Sequence, residues 1–213
     1  MSCYYGKVMK KTYKAIGFDW SGVVFFYPAS YQEAIKDFFG IEREDFQKIY
    51  FQYNHLLNTG NGNPRDSWRM ILSHFGKEAQ ANDFVTYLKN LPQGHIHKEM
   101  IDLIVELKEK GYKVGLLSNH SHAGATEART FGIDDMFDIT LFSAEIGCMK
   151  PQAEAFQALA KKLAVDLSEL IFIDDSKKSL EHAEEIGYTP ILYENLEQTK
   201  KDLAKLLCDI GIL

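Results

Sequence analysis

No stretch of this chain is both apolar and free of charge for long enough to span a bilayer, which requires about 20 such residues. The opening segment "MSCYYGKVMKKTYK" carries lysines but lacks the apolar centre of a secretory signal. Cysteine is scarce as well: Cys3, Cys148 and Cys208 lie far apart, with neither the CxxC spacing of a zinc or redox site nor the even count of a disulfide framework. Basic charge is not in excess, because 24 Lys and Arg face 30 Asp and Glu, giving a net charge of -6. A chain of that sign offers no field for nucleic acid or anionic lipid. These absences together predict a soluble, cytoplasmic protein with free thiols, no nucleic-acid partner and no membrane partner, working as a monomer or homodimer.

What is present is a strand-helix alternation. The 213 residues are 46% hydrophobic, enough for one principal core and a small appended subdomain. Short apolar runs, "KAIGF", "YKVGLLS", "DITLFS", "LIFID" and "TPILY", are separated by "HKEMIDLIVELKEKG", "SHAGATEARTFG", "PQAEAFQALAKKLAV" and "SKKSLEHAEEIG". Those spacers carry apolar residues three and four apart, with glycine at several exits. The pattern predicts an α/β fold: a Rossmann-like parallel sheet with helices on both faces. Residues 29–93 break the rhythm with amphipathic stretches such as "SYQEAIKDFFG" and "PRDSWRMILSHFG" and no buried strand. They predict an inserted helical cap, leaving 14–28 and 94–213 as the core. The polar, glycine-rich "LNTGNGNPRDS" reads as a turn between cap helices, and the tail "NLEQTKKDLAKLLCDIGIL" as a final amphipathic helix.

Ligands of open parallel sheets bind at the carboxyl ends of the strands. Here those ends read, in chain order, Asp19 with Ser21, Ser118 with Asn119, Lys150 soon after the third strand, and Asp174 with Asp175. A lone polar residue at a strand end is ordinarily a cap or loop starter. As a set these make chemistry: three carboxylates in one cleft repel unless a hard cation such as Mg²⁺ sits among them. Lys150 and the Ser118 hydroxyl suit a phosphoryl group placed against that cation.

The motifs "FDWSGVV", "LLSN", "GCMKP" and "FIDDS", in this order, resemble those of the haloacid dehalogenase-like (HAD) hydrolases, and the helical insertion resembles their type 1 cap. The resemblance implies a phosphatase in which Asp19 attacks phosphorus and the aspartyl-phosphate is then hydrolysed. It assigns Ser118, Asn119 and Lys150 to the substrate's phosphoryl group and Asp19, the Ser21 carbonyl and Asp175 to Mg²⁺, with Asp174 either a further ligand or a supporting acid beside the metal. The implied substrate is a small phosphorylated metabolite of sugar-phosphate type, chosen by the cap.

The departure is Ser21. Most family phosphatases carry an aspartate there that protonates the leaving group and later activates water. A serine hydroxyl does neither near pH 7, and the missing effect is worth roughly 3 to 5 kcal/mol of barrier. Three alternatives follow: an acid supplied from elsewhere, with His55, His120 and His122 as candidates, or a substrate with a good leaving group; carbon-halogen hydrolysis, against which the paired acids of "FIDDS" argue; or a weakly active domain that binds a phosphorylated ligand or partner. "DWSG" also resembles the phosphonoacetaldehyde hydrolases, but none of Lys36, Lys48, Lys77 or Lys89 is placed to compel a cap Schiff base. Asp134 and Asp135 read as turn or capping residues. The aromatics of "FFYPASY" and "FQKIYFQYNH" read as packing, and Arg65 and Trp68 as candidate substrate contacts.

Overall fold

A computed structural model describes residues 12–60 and 63–207; Cys3 and Cys208 lie outside them. Five strands form one parallel sheet: β1 (Ala15–Phe18), β4 (Lys113–Ser118), β5 (Ile139–Phe142), β6 (Leu170–Asp174) and β7 (Thr189–Leu192). Their spatial order is β5-β4-β1-β6-β7, so the chain reverses its direction of travel across the sheet beside β1. That reversal opens a crevice at the strand tips, and the predicted polar residues sit there.

The sheet is covered on both faces, and this explains why its strands read as unbroken apolar runs rather than alternating ones. Alternation survives as a division of labour between faces. Ile16, Phe18, Val114, Leu116, Ile171 and Ile173 belong to one core, packed with Met100, Leu103, Ile104 and Leu107 of α5 (Lys98–Glu109). Ala15, Leu117, Leu170 and Phe172 belong to another, packed with Phe156, Leu159 and Leu163 of α9 (Ala153–Leu163). Helix α9 comes close because Gly17 and Gly115 face each other in register. A methyl group at Gly17 would lie 2.5 Å from the Phe172 ring and 2.9 Å from Leu159.

The helical insertion enters and leaves by adjacent strands. After β1 a tight turn leads to β2 (Phe25–Phe26), which pairs antiparallel with β3 (His95–Ile96). Between them run α1 (Tyr31–Phe39), α2 (Arg43–Asn58), α3 (Pro64–Ser73) and α4 (Ala81–Lys89). Helix α1 starts at a capping box, with the Ser30 and Glu33 side chains each accepting the other's backbone N–H, and stops at Gly40 in the left-handed region. Asn63 caps α3, with Pro64 at its first position. The four helices enclose a core of their own, including Ile35, Phe46, Trp68, Ile71 and Phe84.

Short helices fill the remaining connections: α6 (His122–Arg129), α7 (Ile133–Met136), α8 (Ser143–Ile146) and α10 (Ala183–Ile186), before the closing α11 (Leu196–Leu207). The spacer "SKKSLEHAEEIG" departs from its expected helix, since only Ala183–Ile186 is helical and the rest is turns. Ala183 is its one buried residue, too little apolar surface to hold a longer helix against the sheet. The β2–β3 pair escaped the sequence pattern because two-residue strands have no periodicity to read.

Candidate active site

Asp19 caps β1, and its backbone N–H donates to the Ile173 carbonyl, which ties it to the neighbouring β6. Its Oδ1 is the focus of the site. The Trp20 N–H donates to it at 2.7 Å, the Ser118 hydroxyl at 2.9 Å, and the Lys150 ammonium stands 2.9 Å away. Lys150 also reaches Asp174 Oδ2 at 2.5 Å, and Asp174 Oδ1 accepts the Ser176 N–H. The Lys150 side chain is 1% exposed and that of Asp174 0%, so this is a charge pair taken out of water.

Burial of that kind leaves clear marks on protonation. Burial pulls the Lys150 ammonium downward, but Asp174 and Asp19 outweigh it and hold its pKa above the ordinary lysine value. Burial pushes Asp174 upward against the opposing pull of Lys150. Asp175, at the cleft mouth, is pushed up to about 6 by the protein packed around its carboxyl and by the nearby charge of Asp19. Asp19, Asp174 and Asp175 each offer a ligand oxygen within 4.8 Å of the others. Set against one ammonium, three carboxylates leave two negative charges, and the repulsion from Asp19 adds to burial in raising the other two acids. A divalent, oxygen-seeking cation fits this donor set.

The loop after Asp19 closes round the third acid. Gly22 has φ +81°, and a methyl group there would lie 2.3 Å from Asp175 Oδ2. Glycine is therefore required both for the backbone and for the approach. In the sequence its only signal is a glycine three residues after Asp19.

Asn119 is tied to Lys150. Its Oδ1 accepts the Lys150 N–H and its Nδ2 donates to the Lys150 carbonyl, each at 2.9 Å, so the amide clamps the backbone that carries the lysine. Ser21 is half-buried, with its hydroxyl 3.4 Å from His120 Nε2. Burial pushes the His120 imidazole down to about 4 against the pull of Asp19, with Lys150 adding to the drop. Ser143 fixes the His120 backbone, accepting its N–H at 2.9 Å.

The other candidates stand elsewhere. His55 is exposed on α2, and exposed His122 has its Nε2 close to Gly60. Trp68 is 4% exposed inside the helical insertion, so it is a core residue and not a substrate contact, while Arg65 is exposed. Among the cap lysines, Lys36 pairs with Glu42 at 2.9 Å and Lys48 lies 3.7 Å from Asp45, both at the surface. Asp134 accepts the Arg129 Nε–H at 3.2 Å. Phe46 is buried and Tyr50 packs against the same core, whereas Phe51 stays 39% exposed beneath the Lys178 ammonium.

Similarity to known proteins agrees with this geometry. The chain is 30% identical over 110 residues to a phosphatase of Mycobacterium tuberculosis, 51% of each protein, so the match spans about half that relative's length. It is 23% identical over 184 residues to the ribulose-1,5-bisphosphate 5-phosphatase of Halopiger xanaduensis, covering 85% of this chain and 72% of that one. A HAD-family enzyme of Bacteroides thetaiotaomicron, solved with magnesium and inorganic phosphate, superposes with a TM-score of 0.59 at 26% identity, over 84% of this chain and 93% of the other. Among the described residues no helix is long and apolar enough to cross a membrane. The sequence profile of the haloacid dehalogenase-like hydrolases matches residues 13–187, and the chain belongs to that family.

Proposed function

We propose that this hydrolase is a Mg²⁺-dependent phosphatase that cleaves a small phosphorylated metabolite through an aspartyl-phosphate on Asp19. The observation that carries the reading is the asymmetry of Asp19. Trp20, Ser118 and Lys150 all converge on Oδ1. That fixes the carboxylate's direction and leaves Oδ2 as the oxygen for attack.

An Asp19 Oδ2–phosphorus bond forms as the ester P–O bond breaks, and the leaving oxygen departs with the electron pair. Water then releases phosphate and restores the carboxylate. Lys150 and the Ser118 hydroxyl stand where they can hold phosphoryl oxygens, and Asn119 acts by holding the Lys150 backbone. Asp19, Asp174, Asp175 and the Ser21 carbonyl would hold Mg²⁺, whose charge screens the acids from an incoming phosphate. Residues 29–93 serve as the cap, closing over the site to exclude water and to select the organic part of the substrate. The named phosphatase relatives and the magnesium- and phosphate-bound structural relative support this chemistry over carbon-halogen hydrolysis.

The test is phosphate release from a panel of phosphate esters with Mg²⁺ or with chelator. Turnover should require the metal, and Asp19→Asn should lower it by at least about 10³-fold. Turnover by Asp19→Asn at the wild-type rate would sink the proposal.

A further inference from the structure

The two strand tips that meet at Asp19 carry a second pair of side chains one step further out. Asp19 and Ser118 form the first rung between the ends of β1 and β4. Ser21 and His120, each two residues beyond its strand-tip partner, form the second. Both rungs lie at the catalytic end of the sheet.

The His120 ring is held from several sides. Phe142 packs edge-on at 5.9 Å between ring centroids, and Tyr27 lies at 6.5 Å from the chain leading into the helical insertion. Nδ1 rests on the first turn of α6, where a methyl group at Gly124 would be 2.2 Å away. With Nδ1 turned toward α6, Nε2 is the ring nitrogen that faces Ser21. Ring packing, the Gly124 contact and the Ser143 bond to its backbone are more than a surface histidine needs.

Resting on the phosphatase reading, we infer that Ser21 and His120 form a hydrogen-bonding pair at the leaving-group side of Asp19, and that this pair restricts the enzyme to phosphates whose leaving groups are acidic. His120 Nε2–H donates to Ser21 Oγ, which frees the Ser21 O–H to donate to the ester oxygen as its bond to phosphorus breaks. No proton is transferred within the pair. The leaving oxygen departs as an anion that keeps the Ser21 hydrogen bond; an alkoxide or phenoxide then takes its proton from water, whereas the carboxylate of an acyl phosphate leaves as it is. Such departure is fast for phenolic, enolic, anomeric and acyl phosphates and slow for simple alkyl phosphates, because a hydrogen bond replaces only part of what a proton donor supplies.

The experiment measures kcat/KM with Mg²⁺ for acetyl phosphate, 4-nitrophenyl phosphate, phenyl phosphate and glycerol 3-phosphate. Wild-type values should fall steeply along that series. Ser21→Ala and His120→Phe should each deepen the fall, costing glycerol 3-phosphate on the order of tenfold more than 4-nitrophenyl phosphate. His120→Gln, which keeps a neutral donor, should recover part of the difference, and Ser21→Asp should flatten the series by raising the alkyl ester most. Ser21→Ala is small enough to report even if His120→Phe folds poorly. Equal losses on all four esters, or a change confined to KM, would overturn the pair's role while leaving the phosphatase reading intact. Absence of phosphate release even from acetyl phosphate would overturn both.

Discussion

At the strand tips, Asp19, Ser118, Lys150 and Asp174 are buried against one another, with exposures of 8% or less, whereas the helical insertion fills its interior largely with rings and aliphatic chains. The second arrangement is explained by stability alone, since burying Phe46, Trp68 and Phe84 is favourable without further help. The first is not. Desolvating an ammonium and two carboxylates costs several kcal/mol per ion, and apolar residues of the same size would hold the strands as well or better. Charge retained against that cost points to chemistry, and the contrast separates a region whose packing stability explains from one whose packing it does not.

The sharpest way to break that contrast is at Lys150. Lys150→Ala leaves Asp19 and Asp174 facing each other without their cation, and should lower unfolding stability by about 3 to 5 kcal/mol in denaturant titration. Mg²⁺ should return part of the loss; full stability without the metal would mean the tips are better solvated than their exposure indicates. Trp68→Ala probes the other region. It should cost about 3 kcal/mol, read as lost amide-exchange protection in α1 to α4 while β1, β4 and β6 stay protected. Equal loss in the sheet would show that the two regions unfold as one.

Gly22→Ala tests whether the loop after Asp19 tolerates a side chain. The left-handed backbone alone costs about 1 to 2 kcal/mol, and the clash with Asp175 should weaken stabilisation by Mg²⁺ in a thermal-shift assay. The smallest effect is expected at Arg129, whose guanidinium grips Glu145 with two bonds of 2.6 and 2.9 Å but lies one-third exposed. Glu145→Ala should change stability by less than about 1 kcal/mol, and less again in high salt.

Much of the sheet was legible before any coordinates, because a strand buried on both faces must be apolar throughout and the polar residue that ends it stands out. "KAIGFD" and "LIFIDD" are such cases, and both end in acids of the cleft. The helices of the insertion were legible by the same logic at helical spacing. Trp68 was not. Its place on an amphipathic helix is fixed by α3 itself, but whether that face meets substrate or the ring of Phe84, 5.0 Å away, depends on how α4 packs. Asn119 is similar: an amide beside a serine at a strand tip suggests a ligand contact, yet both its polar atoms are spent on Lys150.

The sequence alone determined which side chains arrive at the carboxyl edge of the sheet, because strand length and apolar pattern decide where each run ends and what residue follows. Only the tertiary structure decided what those side chains do to one another. Ser118 reaches Asp19 and His120 reaches Ser21 across 99 residues of chain in each case. Such partners are chosen by the parallel register of β1 on β4 and by strand order, which arise from burying both faces of the sheet at once and leave no local trace in the residues they join.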